Sequence, residues 1–327
     1  MQISILLPRL RLYGGIRRML EIANRMSDAG HDVTIYHSDG SACDWMDVRA
    51  KILPASAITK REHEHLLYIF PEHRAIAHGA TARRLYHYNL NLYNKRLLLI
   101  PSWISFFLRG IFAVHRAYYI RRAVLDARAT ILVNCTDSEK WLKEHFGITA
   151  VSILGAVNSK IFYPVVSRKN SGTTILHLGS PKYWKGNDIV KAAVALVRHS
   201  VPDVISESFY DKGISQDQMA AVYGRADVFA DAQLYAGWNN PIAEAMACKI
   251  PVVCYDSGPN RDIAIHEQTA LLVPPKRPDL MAKAIERIIN DKVLRDRLVE
   301  NAYRAIQPFT WERTTNDLLA VLTHANH

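Results

Sequence analysis

Residues 1–36 constrain this chain more than any other stretch. Residues 2–8 (QISILLP) are an apolar run of strand length, and the loop that follows ends in Gly14 and Gly15. Ile16, Met19, Leu20, Ala23 and Met26 then recur at helical spacing as far as Gly30, and residues 32–36 (DVTIY) are again strand-like. Strand, glycine turn, helix and strand in that order predict a βαβ unit. A glycine pair in such a turn is often required for steric reasons alone, so it carries no function by itself.

The alternation continues along the chain. Strands are predicted at 50–53, 74–78, 96–100, 129–135 and 151–154, with helices at 80–92 and 138–146. After a polar segment at 165–172 the pattern restarts with a strand at 174–178, a glycine-containing turn (GSPKYWKG) and a helix at 188–199. A short helix at 215–223 and strands at 226–230, 252–255 and 270–273 follow. Helices at 279–289, 293–306 and 311–322 complete the chain. A length of 327 residues with 49% apolar and 22% charged residues is enough for two such cores.

The densest chemistry lies in residues 237–253, GWNNPIAEAMACKIPVV. Asn240 is a good helix N-cap, Pro241 suits the first turn, and residues 242–248 are strong helix formers. Gly237 allows close backbone approach, and the unpaired N–H groups of the helix start attract a phosphate. Glu244 supplies one acceptor-only carboxylate beside that point, suited to sugar hydroxyls; an ordinary capped helix with a surface Glu fits the same residues equally well.

These residues resemble the donor-binding signature of retaining GT-B glycosyltransferases of family 4. Glu244, Ala245, Met246 and Ala247 match its Glu-Ala-Met-Ala, Gly237 and Pro241 match within the preceding loop, and Trp238 stands for a Phe. The other Glu of the family's pair falls on Ala236, and the Arg of its Gly-Arg…Lys-Gly turn falls on Ser180, with Lys182 as the nearby cation. Gly179, Lys185 and Gly186 match that turn, and Gly14 and Gly15 match the family's N-terminal glycine loop. His78 resembles the active-site His that ends a strand in the family; His73, His87 and His115 are its rivals.

The resemblance implies an α/β, GT-B fold of two Rossmann-like doubly wound domains facing a central cleft. Residues 1–164 would form the acceptor-side domain, with a C-terminal helix at 311–327 packing back on it. Residues 165–172 would be a linker, and 173–310 would bind the nucleotide sugar. The donor would be held by Gly14, Gly15, Ser180, Lys182, Lys185, Gly237, Trp238, Asn239, Asn240 and Glu244, with Glu244 at the ribose. His78, Lys185 and Asn239 are the residues expected to act on the transferred sugar. No Asp-x-Asp occurs in the chain, so neither a metal nor another cofactor is expected, and the nucleotide diphosphate sugar is a co-substrate.

Charge divides the two halves. Residues 1–165 carry 22 Lys and Arg against 13 Asp and Glu, while the remainder carries 19 against 18. Residues 83–128 hold nine cations and one acid, Asp126, interleaved with aromatic residues. Such a segment suits either a helix lying on anionic lipid or a domain core with solvated charges. The acceptor is expected to be a lipid-linked or cell-surface glycan. Nucleic acid is the weaker partner, since the basic half has no recognition motif of its own. Four cysteines without metal spacing and an N-terminal run too short for a signal peptide predict a cytoplasmic protein, which on the lipid reading of residues 83–128 is peripheral on the inner face of the membrane. Two other functions fit the same architecture: a non-catalytic nucleotide-sugar-binding protein and a sugar-nucleotide epimerase.

Overall fold

The computed structural model describes the chain except residues 12, 93–94, 101–103, 105–111, 166–171, 211 and 325–327. The chain divides into two compact units, Met1–Gly155 with Trp311–His327, and Ala156–Thr310. Residues 156–164, which the sequence assigns to the first domain, group with the second. Val157 N–H donates to Phe309 O at 2.9 Å, and Phe162 packs edge-on against Tyr223. The expected linker lies mostly outside the described residues.

The first unit contains β1 (Gln2–Leu6), α1 (Gly14–Asp28), β2 (Asp32–His37), β3 (Lys51–Pro54), β4 (Glu62–Tyr68) and α2 (Arg74–Gly79). It continues with β5 (Thr81–Asn89), α3 (Lys95–Leu98), α4 (Phe112–Val124), β6 (Ala129–Val133), α5 (Thr136–Phe146) and β7 (Val151–Ser152). Among the described residues these strands form one parallel sheet in the order β3-β2-β1-β4-β5-β6-β7. Strand order therefore reverses between β1 and β4, and ligands of such sheets bind outside the carboxyl ends at that point.

Three local expectations are corrected. Residues 74–78 form helix α2 and not a strand, the expected helix at 80–92 is strand β5, and the expected strand at 96–100 opens as helix α3. Strand β4, unassigned from sequence, lies between β1 and β5. Its sequence, EHEHLLY, puts two histidines inside, and each has a local partner. His63 bonds Ser4 Oγ at 2.8 Å and Ile58 O at 2.7 Å, and His65 bonds the Tyr86 hydroxyl at 3.2 Å. Helix α4 buries Val114, Ala117, Ile120, Ala123 and Val124, so the described apolar face of the basic segment is core.

The second unit contains β8 (Thr174–His177), α6 (Asn187–Val197), β9 (Ile205–Ser208), α7 (Met219–Gly224), β10 (Val228–Asp231) and α8 (Asn240–Ala247). It ends with β11 (Val252–Tyr255), β12 (Leu271–Val273), α9 (Pro278–Asn290) and α10 (Lys292–Ile306). Its parallel sheet has the order β12-β11-β10-β8-β9, which reverses between β8 and β10. Ile175, Val228, Val253 and Leu271 on the strands pack against Val190, Met281 and Ile285 on the helices. The last helix, α11 (Trp311–His324), belongs to the first unit. There Thr314 Oγ1 donates to Leu154 O at 3.0 Å.

Candidate active site

In the second unit the loops after β8 and β10 flank the point where strand order reverses. The loop after β8 has a shape that its glycines make possible. Gly179 and Gly186 have φ of +78° and +67°, where a side chain is strained, and a Cβ on Gly186 would stand 2.1 Å from the Ala232 carbonyl oxygen. Backbone therefore packs on backbone. Leu234 N–H donates to Trp184 O at 2.8 Å, and Lys185 Nζ donates to Gln233 Oε1, so the two loops are stapled side by side.

A chain of buried polar groups runs inward from Lys185. Asp231 ends β10, and its Oδ1 accepts Gln233 N–H at 3.0 Å and Asn239 Nδ2 at 3.2 Å. Asn239 Nδ2 also donates to Asn260 Oδ1 at 3.1 Å, and Asn260 Nδ2 donates to Tyr255 O at 2.9 Å. That last carbonyl fixes the whole chain, because only one orientation of Asn260 pairs with it and only one orientation of Asn239 then pairs with Asn260. Burial raises the Asp231 carboxyl above its ordinary value, against the Gln233 N–H and Lys185. Burial likewise lowers the Lys185 ammonium, with Asp231 opposing.

Helix α8 starts at Asn240, but its N-cap is Asn239 and not Asn240, and no side chain caps it. Asn239 Nδ2 donates to Asp231 and Asn260, while its Oδ1, the atom that could accept an N-cap bond, has no hydrogen-bond partner among the described residues. Pro241 occupies the first turn, as predicted. Glu244 lies one turn on, half-buried, and its Oε2 accepts the Tyr223 hydroxyl at 2.9 Å. A half-buried cation, an uncapped helix start and a carboxylate are thus gathered at one edge of one sheet. That set suits a diphosphate bearing a ribose.

The remaining predicted residues take varied positions. Ser180 is buried and its Oγ accepts Lys182 N–H at 3.5 Å; Lys182 itself is exposed, with Nζ 5.7 Å from the Trp184 ring centroid. Gly237 and Trp238 are buried, and Trp238 packs on Phe309 at 5.0 Å between ring centroids, so its indole serves the core of the unit. Gly14 and Gly15 open α1 in the first unit, after the carboxyl end of β1, as an anion-binding turn requires.

His78 is the clear correction. It ends helix α2 and not a strand, immediately before β5, while Asp126 and Arg128 immediately precede β6. Both positions are at the amino ends of parallel strands, opposite the edge where ligands bind. There His78 Nε2 bonds the Asp126 carboxylate, which also accepts Arg74 Nε at 3.1 Å and the Arg128 backbone N–H at 3.2 Å. Burial would raise the Asp126 carboxyl, but these bonds outweigh it and hold it below the ordinary range. His78 is a structural staple. Of its rivals, His87 lies near the carboxyl end of β5, buried and stacked on Tyr68 at 4.6 Å, with burial pushing its pKa down to about 4.

Sequence reasoning missed Tyr223 and Asn260. No spacing signal links them to Glu244 and Asn239, since each acts through a tertiary contact. Among the described residues no cluster of three or more His, Cys, Asp or Glu could hold a metal ion.

Two parallel α/β units of this kind define the GT-B fold, and solved structures agree. Sucrose-phosphate synthase from Thermosynechococcus elongatus superposes with a TM-score of 0.76 at 16% identity, covering 99% of this chain and 98% of its own. Anabaena HepE, solved in complex with UDP-glucose, gives 0.71 at 15% identity over 98% and 99%. Within that fold, residues 207–305 match the family model described as Glycosyl transferases group 1. A D-inositol 3-phosphate glycosyltransferase of Jonesia denitrificans is 31% identical over 180 residues, 46% of this chain and 42% of the relative. An MMP alpha-(1->4)-mannosyltransferase of Mycolicibacterium hassiacum is 28% identical over 127 residues, 38% and 30% of the two chains. The chain thus spans less than half the length of these curated relatives.

Proposed function

We propose that the protein transfers a sugar from a nucleotide diphosphate sugar to a glycan or lipid-linked acceptor, with retention of configuration and without a metal. The observation that carries this is Lys185, held on Gln233 beside the uncapped start of α8 with Glu244 one turn on. Lys185 and the α8 N–H groups meet the diphosphate, and Glu244 meets the ribose. Leaving-group charge is then stabilised by fixed donors and needs no metal ion. The Glycosyl transferases group 1 match over the same unit supports the donor class, and the names of the relatives support a sugar as the group moved.

A thermal-shift panel of UDP, GDP and dTDP with their sugar conjugates tests this. One of them should raise the melting temperature, since a ligand at 100 times its Kd adds about 2.7 kcal/mol of stability. Turnover with that donor should persist in chelator. No shift with any nucleotide would overturn the proposal. Binding without transfer across a broad acceptor panel would favour the non-catalytic reading, for which Ala236 and Ser180, in place of two polar family residues, are the motive.

We also propose that the basic first half binds anionic membrane from one side, as no helix among the described residues is long and apolar enough to cross one. Because α4 buries its apolar face, the attraction rests on charge such as the exposed Arg122 and Arg128. Sedimentation with anionic vesicles should therefore weaken as salt rises, screening being felt over about 10 Å at 0.1 M. Equal binding to neutral vesicles would overturn it.

A further inference from the structure

Tyr223 is wholly buried, at the end of the short helix α7, and has no part in the donor contacts described above. Its ring is walled by Phe209 and Phe229, each 5.7 Å away between centroids, and by Phe162 at 6.0 Å. Held on three sides, the ring cannot swing, so the hydroxyl occupies one place. Two acceptors lie within its reach, Glu244 Oε2 at 2.9 Å and Pro241 O at 3.3 Å. The hydroxyl proton is shared unequally between them, since the closer carboxylate oxygen is the stronger acceptor. Burial, and then the Glu244 charge, push the phenol well above its ordinary pKa, so the hydroxyl remains a donor at any working pH.

A side chain on a helix leans toward the N-terminus, which directs the Glu244 carboxylate toward the Asn240–Pro241 turn. Left alone, its terminal torsion is broad, and the two oxygens sweep through many planes. A bond to one oxygen from an immovable hydroxyl selects one plane before any ligand arrives. Two neighbouring hydroxyls on one ring need two acceptors presented together, so that plane decides whether Glu244 meets both or one. Fixing it in advance also removes part of the ordering cost of binding.

We propose that Tyr223 is the positioning residue that sets the plane of the Glu244 carboxylate for the vicinal hydroxyls of a ribose. This rests on the donor reading given under the proposed function. Tyr223→Phe removes only the hydroxyl and keeps the ring in its aromatic surroundings. The test measures binding of UDP, GDP and ADP, and of their 2′-deoxy forms, by calorimetry to wild type, Tyr223→Phe, Glu244→Gln and the double variant. Wild type should prefer one ribonucleotide over its 2′-deoxy form by roughly tenfold, about one charge-assisted hydrogen bond. In Tyr223→Phe that preference should shrink to below about threefold, with affinity for the 2′-deoxy form nearly unchanged. In the double variant it should be no smaller than in Glu244→Gln alone. A merely structural Tyr223 would lower affinity for both forms equally. Tyr223→Phe retaining the full preference would overturn the proposal. Wild-type binding without any ribose preference would overturn it while leaving the donor reading intact, and no binding of any nucleotide would overturn both.

Discussion

Replacing Lys185 with methionine should lower turnover by on the order of 10²–10³, the range seen when one preorganised donor to developing charge is removed. Methionine keeps the length and much of the packing of the half-buried stem, so the turn held by Gly186 should survive. What is lost is the cation proposed to meet the leaving diphosphate, together with the Lys185 hydrogen bond to Gln233 Oε1. A second consequence separates this site from a simple surface lysine. Asp231 is a buried acid whose carboxyl burial already raises, and Lys185 is one of the groups that pull it back. Without Lys185 it rises further.

An acid whose folded pKa lies above its unfolded value binds its proton more tightly when folded. It therefore costs stability as pH climbs from the unfolded value, 3.8 for Asp231, through the folded one. Melting temperature should therefore fall more steeply with rising pH above 3.8 in Lys185→Met than in wild type. The check is turnover with the donor found by thermal shift, plus melting curves from acid to neutral pH. Wild-type turnover would remove Lys185 from the chemistry, and an unchanged pH dependence would show that Asp231 does not feel it.

The second unit was far more legible from sequence than the first, for reasons visible in particular residues. Gly179, Gly186 and Pro241 act locally: each is the residue type that its backbone position demands, so turn and helix start could be read directly. Strands β10 and β11 are short, almost wholly apolar runs (VFAD, closed by Asp231, and VVCY), as buried parallel strands are. In the first unit β4 reads EHEHLLY, and its histidines are tolerable only because Ser4, Ile58 and Tyr86 lie opposite them. No local pattern announces those partners. The helix α2 sequence, RAIAHG, is too short for a 3.6-residue period to show, and so strand and helix were exchanged at 74–92. The same exchange misplaced His78, for a residue that ends a strand faces the ligand edge, whereas one that ends the preceding helix faces away.

Asn239→Ala should be the most destabilising of the site substitutions. The amide at Asn239 serves two buried acceptors, Asp231 Oδ1 and Asn260 Oδ1. Asp231 would retain the Gln233 N–H, whereas Asn260 Oδ1 would lose its Asn239 donor. A buried acceptor left unpaired costs about 1–3 kcal/mol, and a loss of about that size is expected, reduced where water enters. Asn239→Asp should be no better, because a second carboxylate would face Asp231. Asn239 and Asn240 both follow closely on Ala236, where the resemblance places a Glu. The structure separates them. The Asn239 Nδ2 is spent inside the unit, and its Oδ1 is enclosed with no hydrogen-bond partner among the described residues. Asn240 is partly exposed at the first residue of α8, and since Asn239 is the N-cap, Asn240→Ala carries no capping cost. Its stability should stay within about 0.5 kcal/mol of wild type while its turnover falls more than its nucleotide affinity. Chemical denaturation of the two variants beside steady-state kinetics decides the matter. An Asn239→Ala protein as stable as wild type would show that the polar chain contributes nothing to the fold. An Asn240→Ala protein with unchanged kcat would leave the transferred sugar without a contact from this segment.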